Sequence, residues 1–339
     1  MKCFFLDHGL TVRPDGRVAP CCQWHVPSNF ESRYLTDDYE SYFQQKKEEF
    51  GKGWIPECHE CQKQEKMGGM SDRIDWKDGH KDYNISGSGR KHWDLKLHNT
   101  CNLTCRMCSA GDSSSWQKII KENPDEEWNS WVKVGEKKFG WRDKIPNLLE
   151  KHIDDLELLK FTGGEPFMIP QVKEVLKKVI AKGKAGNVDV KITTNATFSL
   201  TDDWIDILKQ FKSVFFSLSI NGIKSRYEYI RQNAEWETTY KNVMSIQELG
   251  FIRQSVNEIY QMLVFDMVDE INKFWKSNDL GCNWAYLTTP SYHSLNSLPN
   301  YLLKKYNHNP QYKFDQKLHN EFIKQTAIHD RIYLSLIHI

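Results

Sequence analysis

Three cysteines near the middle of the chain have the spacing of an iron–sulfur cluster site. They are Cys101, Cys105 and Cys108, in the pattern C-x₃-C-x₂-C. Iron–sulfur clusters usually take four cysteines, so a cubane held by only three keeps one iron open to bind a small molecule. A structural zinc site, which closes with four Cys or His ligands, is the alternative, because His92 and His98 lie nearby in the sequence. The run alone favours the cluster.

A second motif follows about fifty residues later, at Gly163-Gly164-Glu165-Pro166. The apolar stretch 156–161 before it is typical of a buried strand, and the helical spacing of apolar residues over 171–180 predicts a helix after it. Two glycines at a strand end allow a ligand to approach the backbone closely, and a carboxylate beside them can accept hydrogen bonds from an amine. Alone, the motif would indicate an ordinary strand–turn–helix corner; after the cysteine run it indicates a cofactor site.

Together the two motifs resemble the radical S-adenosylmethionine (radical SAM) superfamily. There the three-cysteine loop follows the first barrel strand, and the Gly-Gly-Glu-Pro motif follows the second. The resemblance implies a [4Fe–4S] cluster on the three cysteines, with its open iron chelated by the amino and carboxylate groups of S-adenosylmethionine. Backbone of the two glycines, with Glu165, would hold the amine. Met107 stands where the family commonly has an aromatic residue, and its bulk can fill the same wall.

Further motifs appear in the family's order. Segment 188–195 alternates apolar and polar residues, as a half-buried strand does, and ends in Thr-Thr-Asn; segment 214–222 predicts a fourth strand, with Asn221 where the family has Asp. The resemblance places the adenine contact within 259–264. It also implies four cofactor-binding residues: Asn195, Ser217, Ser219 and Arg231. A solvated helix charge is the alternative for Arg231.

The first ninety residues contain a separate cysteine set. Asp15-Gly16 predicts a hairpin that would bring Cys3 near Cys21, and a C-x₂-C pair follows. Spacing alone fits structural zinc. The segment also resembles the auxiliary-cluster modules called SPASM and twitch. This resemblance implies one auxiliary [4Fe–4S] cluster with the ligands Cys3, Cys21, Cys58 and Cys61. Cys22 is the alternative to Cys21.

The remaining cysteine, Cys282, is predicted to be a buried strand thiol. A disulfide framework is disfavoured, because the cysteines form C-x₂-C and C-x₃-C pairs in a chain without an export signal. The sequence contains neither a signal-peptide apolar core of ~7–15 residues nor an apolar span of ~20 residues. These features predict a cytoplasmic protein with no membrane segment.

Composition excludes a general attraction to polyanions. The 339 residues contain 46 Lys and Arg against 45 Asp and Glu, for a formal net charge of +1. Such a balance produces no global field for nucleic acid or an anionic membrane. Hydrophobic residues make up 39% of the chain and aromatic residues 13%, which is enough for a packed core.

The sequence predicts an α/β chain built around a partial (βα)₆ TIM-like barrel of the radical SAM type. Residues 1–85 are predicted to form the twitch/SPASM-like module, 85–90 a linker, 91–290 the radical SAM core and 291–333 a C-terminal extension without a motif. The tail 334–339 matches the translation of a transposase end sequence used in DNA library preparation. We therefore interpret it as a sequencing scar, with the natural chain continuing past Tyr333.

The resemblance implies reductive cleavage of S-adenosylmethionine to a 5′-deoxyadenosyl radical, which abstracts hydrogen from a substrate. The electron would come from a flavodoxin-like or ferredoxin-like partner. Module-bearing relatives often modify peptides, so the analogy favours a peptide or protein substrate. A small-molecule substrate is one alternative. A non-catalytic module with structural zinc sites is another, in which Gly163-Gly164-Glu165-Pro166 would have no purpose.

Overall fold

The computed structural model describes residues 1–25, 33–35, 38–66, 71–79, 89–133, 150, 152–287, 289–306 and 312–333. The suspected scar at 334–339 lies outside these ranges, as does most of the predicted linker. Within them, no helix is long and apolar enough to cross a membrane.

The described residues form eleven strands, nine of which share one sheet in the order β11-β10-β8-β7-β6-β4-β1-β2-β3. The strands are β1 (Gly9–Val12), β2 (Arg17–Ala19), β3 (Arg33–Tyr34), β4 (His92–Lys96), β5 (Thr104–Cys105), β6 (Leu158–Thr162), β7 (Asp189–Thr194), β8 (Ser213–Ser219), β9 (Arg231–Gln232), β10 (Ile252–Tyr260) and β11 (Cys282–Tyr286). The three core strands predicted at 156–161, 188–195 and 214–222 are confirmed as β6, β7 and β8, with ends that differ by up to three residues.

Helices separate the core strands along the chain. They are α1 (Phe4–His8), α2 (Tyr39–Lys52), α3 (His59–Lys66), α4 (Asp72–Gly79), α5 (Ser114–Glu122), α6 (Pro170–Ala181), α7 (Asp202–Leu208), α8 (Lys224–Ile230), α9 (Trp236–Glu248), α10 (Val268–Ser277), α11 (Asn300–Lys305) and α12 (Gln316–Tyr333). Six strands, β4, β6, β7, β8, β10 and β11, are parallel and lie side by side in chain order. This winding is that of the predicted partial (βα)₆ barrel.

The two faces of this sheet differ in chemistry because successive side chains of a strand point to opposite sides. One face carries buried apolar residues such as Leu95, Phe161 and Ile192, which share a hydrophobic core with the apolar positions of α6. On the other face, Asp94 and Lys160 form an ion pair across β4 and β6. The polar face is therefore the one available for a site.

The N-terminal segment joins the same sheet. Strand β1 pairs in parallel with β4 and antiparallel with β2, and the predicted hairpin is confirmed, with Gly16 at a φ of +82°. Asp38 caps helix α2 by accepting a hydrogen bond from the Ser41 backbone. A small core of Leu6, Trp24 and other apolar residues packs beside the cysteines of this segment. The division of the chain at residue 85 remains a prediction.

The C-terminal extension packs on the connection that follows the cysteine run. Trp116 and Trp128 are buried together with Ile328 of α12, and the ring of His329 contacts that of Trp116 at 4.8 Å. The described part of this connection, which contains several tryptophans, therefore packs as a structural layer. Trp141 lies outside the described residues.

His293 provides a pH-dependent test of this packing. Its buried ring contacts Phe322 of α12 at 5.3 Å. Burial, followed by the nearby charge of Arg106, lowers the pKa of His293 to about 3, whereas an unfolded histidine titrates near 6.5. The neutral ring thus contributes stability that is fully present above pH 6.5 and is lost as the pH falls toward 3.

We expect the free energy of unfolding of the wild type to fall by about 1.4 kcal/mol more than that of His293→Phe between pH 7.5 and 5.5. Urea denaturation followed by circular dichroism at both pH values measures the difference. Equal losses in the two proteins would show that His293 is not held neutral.

Candidate active site

The cysteine run forms a loop at the carboxyl end of β4. Cys105 is buried, and Cys101 and Cys108 are half-buried. The loop is held by short local contacts: Ser115 donates to the Cys101 carbonyl at 2.7 Å, and the Trp116 indole donates to the Cys105 carbonyl at 3.0 Å. The three thiols are therefore placed by the fold itself.

Burial makes these thiols hard to ionise. Burial, followed by the charge of Cys105, raises the pKa of Cys101 to about 12. The pKa of Cys108 is raised by burial, then by Asp112 and by both other cysteines. Thiolates packed this closely need positive charge beside them, and the irons of a cluster supply it. The donor set thus fits a three-cysteine cluster.

The two glycines of the second motif are required by the cysteine loop. A Cβ at Gly164 would lie 2.1 Å from the Thr100 carbonyl oxygen, and Gly163 has a φ of +96°. The backbone N–H of Gly164 donates to the His98 carbonyl oxygen at 3.1 Å, and the backbone N–H of Glu165 donates to the Thr100 carbonyl oxygen at 2.7 Å. The glycines therefore allow their own backbone to lie close to the loop that carries the cysteines. A close approach of a ligand to the same backbone remains a prediction.

Glu165 joins the ends of two strands. Its carboxylate is fully buried and accepts hydrogen bonds from the Thr194 hydroxyl at 2.8 Å, the Asn195 backbone at 2.7 Å and the Phe167 backbone at 3.2 Å. Burial raises the pKa of Glu165 to about 7, against the effect of these hydrogen bonds. Its described contacts position β7 relative to β6, and its role toward an amine remains a prediction.

Asn195 lies directly over the cysteine loop. Its amide nitrogen donates to Asn102 at 3.0 Å and lies 3.9 Å from the Cys101 sulfur. Its side-chain amide oxygen accepts hydrogen bonds from both the backbone N–H and the hydroxyl of Thr197. The amide is thus fixed in orientation, and it reaches the first of the three thiols.

Arg231 reaches the second thiol. The guanidinium is buried, donates to the Cys105 sulfur at 3.4 Å and to Asn221 at 2.5 Å, and also bonds the Ile220 carbonyl. The alternative of a solvated helix charge is wrong, because Arg231 is only 7% exposed. Its charge lowers the pKa of Cys105, which burial raises.

Ser217 and Ser219 lie on one face of β8. Ser217 is buried and accepts a hydrogen bond from the Asn257 amide, whereas Ser219 is half-buried. Strand β8 pairs with β7, which ends one residue before Asn195. The predicted cofactor-binding residues therefore gather at the carboxyl ends of neighbouring parallel strands, where ligands of open α/β sheets bind.

The N-terminal cysteines form a second group. Four of them line one small cavity, together with Trp54 and Arg73: Cys3, Cys21, Cys58 and Cys61. Burial is the largest cause raising the pKa of each of the four thiols, and the charges of neighbouring cysteines raise the pKa of Cys3, Cys21 and Cys58 further. Cys22 is exposed and lines a different cavity.

No three Cys, His, Asp or Glu side chains in the described ranges converge closely enough to hold a single metal ion. A cubane cluster spreads its cysteines over different irons, so the feature that matters for it is the shared cavity. This grouping favours Cys21 over Cys22 as the ligand.

Sequence reasoning missed the contribution of the last helix. Arg106, inside the cysteine run, donates to Asp330 of α12 at 2.6 Å, and its guanidinium lies 3.8 Å from the Tyr229 ring. Tyr333 bonds the Thr104 hydroxyl. No local signal predicts these contacts, because their partners are more than one hundred residues apart in the chain. The only hint was an arginine placed between two of the three cysteines.

Gly164→Ala tests the dependence of the loop on the second motif. The added methyl group would meet the Thr100 carbonyl at 2.1 Å, so the loop must move and its thiols must separate. We expect the variant to lose most of about four irons per chain, one cubane, after anaerobic reconstitution. Gly186→Ala is the matched control, because nothing lies within 4 Å of its Cβ position. Iron retained equally in both variants would contradict this role.

Comparison with known proteins agrees with this geometry. The Radical SAM superfamily profile matches residues 95–271, just over half of the 339 residues. The sporulation killing factor maturation protein SkfB of Bacillus subtilis (strain 168) is 24% identical over 180 residues, which are 52% of this chain and 38% of SkfB. The chain thus spans less than two-fifths of the length of this curated relative.

Solved structures with a related chain path include native anSMEcpe with bound AdoMet and Kp18Cys peptide, at a TM-score of 0.46 and 14% identity over 71% of this chain and 61% of that chain. Streptococcus suis SuiB bound to precursor peptide SuiA has a TM-score of 0.42 and 15% identity over 91% of this chain and 55% of that chain. The profile match covers the strands that carry the cysteine loop and the Gly-Gly-Glu segment. The chain therefore belongs to the radical SAM superfamily.

Proposed function

We propose that this protein uses a [4Fe–4S] cluster and S-adenosylmethionine to modify a peptide or protein substrate. The observation that carries the proposal is the loop that holds a buried Cys105 and half-buried Cys101 and Cys108 within range of one another's charges. The chemistry that the bound cofactors supply is one-electron reductive cleavage of the sulfonium, followed by hydrogen-atom abstraction from the substrate. A flavodoxin-like or ferredoxin-like reductant is the proposed electron donor.

The chain's own residues bind and orient. The three cysteines hold the cluster, and Arg231 donates a hydrogen bond to one of the thiols. A hydrogen bond to a cluster sulfur ligand raises the reduction potential of a cluster by stabilising its more negative state. The proposed S-adenosylmethionine contacts lie on the same strand ends: Gly163, Gly164, Glu165, Asn195, Ser217, Ser219 and Arg231. Burial of this region excludes water from the reacting atoms.

The peptide substrate is proposed from the relative's printed role. SkfB is named as a maturation protein for a sporulation killing factor, and this chain is 24% identical to it over 180 residues. The N-terminal segment supports a second proposal, an auxiliary [4Fe–4S] cluster on Cys3, Cys21, Cys58 and Cys61. What supports it is the cavity that these four thiols share.

The proposed activity predicts a specific product. Anaerobically reconstituted protein, given S-adenosylmethionine and a strong one-electron reductant, should form 5′-deoxyadenosine. Cys105→Ala should abolish the product, because two thiols no longer hold the cluster. Cys282→Ala is the matched control and should retain the activity, since this thiol lies on the edge strand β11. Chromatography with mass detection measures the product. A wild type that binds iron and substrate but forms none would contradict the proposal.

The auxiliary cluster predicts an iron count. Wild-type protein should bind about eight irons per chain, corresponding to two cubanes, and Cys58→Ala should bind about four. Cys22→Ala should bind as much iron as the wild type, because its side chain is outside the shared cavity. Iron and acid-labile sulfide assays provide the measurement. A count of about four in the wild type, unchanged in Cys58→Ala, would refute the auxiliary cluster and leave the loop cluster in place.

A further inference from the structure

A cavity of about 170 Å³ lies between the N-terminal segment and the polar face of the sheet. Its wall on the sheet side carries Asp94, Lys160 and Lys191, which are register partners on β4, β6 and β7. The opposite wall carries Asp72 and Asp75, from the first turn of α4. None of these five residues is among the site residues predicted from the sequence.

The two lysines differ in how their charge is balanced. Lys160 donates to Asp94 at 2.9 Å, and Thr162 donates to the other oxygen of the same carboxylate at 2.9 Å. Asp94 is therefore engaged by its own neighbours. Lys191 makes no ion pair with any residue that the structure describes, and its ammonium lies 5.1 Å from the Phe215 ring centre.

This arrangement places two ammonium groups side by side on adjacent strands. Burial, followed by the charge of Lys160, lowers the pKa of Lys191. A half-buried ammonium without an ion-pair partner loses part of its hydration, and like charges on neighbouring strands repel each other. The charges of Asp75, Asp94 and Asp72 oppose the lowering of the pKa, but none of the three forms an ion pair with Lys191. The unpaired charge of Lys191 therefore costs stability, and no described residue forms an ion pair that would offset this cost. An anion bound from outside the chain would offset it.

We propose that this cavity binds a carboxylate of the peptide substrate, with Lys191 as the contact cation and Lys160 beside it. The inference rests on the proposed function for its choice of a peptide. Peptide N–H groups next to the bound carboxylate would face Asp72 and Asp75 on the opposite wall. Trp76 of α4, which also lines the cavity, offers apolar surface on the same helix as Asp72 and Asp75. The carboxylate can belong to an Asp or Glu side chain or to a peptide C-terminus.

Three small probes separate these sources. N-acetyl-glutamate α-methylamide carries only a side-chain carboxylate, N-acetyl-glycylglycine carries only a terminal one, and N-acetyl-glutamine methylamide carries none. Calorimetric titration of the reconstituted full chain should show binding of at least one carboxylate probe and weaker binding of the neutral probe. The stronger of the two carboxylate probes identifies the source.

Lysine variants locate the contact. Lys191→Met should raise the dissociation constant of the carboxylate probe about tenfold, equivalent to about 1.4 kcal/mol of binding free energy. Lys191→Arg should retain binding because it keeps the charge. Lys178→Met is the matched control, since Lys178 is exposed on α6, and it should bind as the wild type does. Circular dichroism of each variant checks that it is folded.

The proposal is overturned by any of three results: equal binding of the neutral probe, unchanged binding in Lys191→Met, or no binding of either carboxylate probe up to concentrations on the order of 50 mM. None of these titrations depends on S-adenosylmethionine cleavage. A protein that forms 5′-deoxyadenosine but binds the probes independently of Lys191 refutes the subsite alone. One that binds them through Lys191 but never cleaves S-adenosylmethionine refutes the proposed function alone.

Discussion

The burial of three thiols on one short loop is the constraint on which the rest of the site depends. Cys105 and its two partners are each harder to ionise because of burial, and Cys101 and Cys108 also because of their neighbours' charges. Among the described residues, Arg231 is the cation that donates a hydrogen bond to one of these sulfurs. Such a loop favours binding of a highly positive iron core, and it must keep its shape for the thiols to meet that core together.

Distant parts of the chain supply that shape. The Gly-Gly-Glu segment donates two backbone hydrogen bonds to the loop from the end of β6, and strand β9 pairs with β5 from the far side. Asp330 of the last helix bonds Arg106 within the loop. Because these supports come from segments far apart in sequence, the loop is completed only when the core strands and the last helix have all packed. The C-terminal extension is therefore part of the site's scaffold.

The sequence predicted the features that depend on local pattern. The cysteine spacing, the glycine pair and the alternation along β7 are short-range signals, and they located the strands and the loop. The reason for the glycines was not predictable, because the Thr100 carbonyl that excludes a side chain at Gly164 comes from another strand's loop. The lack of an ion-pair partner for Lys191 was not predictable either, because in the sequence Lys191 is simply one polar position of an alternating strand. Its neighbours on β6 and β8 become known only from the register.

The N-terminal segment shows the same limit. Its hairpin followed from the turn residues Asp15-Gly16, but the parallel pairing of β1 with β4 has no local signal. That pairing extends the core sheet by three strands and brings Cys21 and Cys22 to the cavity on the polar face. The second cysteine group thus lies next to the sheet that carries the first.

A cluster held by Cys101, Cys105 and Cys108 alone would have one iron without a protein ligand, and the proposed activity depends on this open iron. The most direct test is the electron paramagnetic resonance spectrum of the reduced protein with Cys58 and Cys61 replaced by Ala, so that only the loop cluster contributes. We expect saturating S-adenosylmethionine to shift the g values, because its amino and carboxylate groups enter the coordination of that iron. A spectrum unchanged by S-adenosylmethionine would contradict an open iron at this loop.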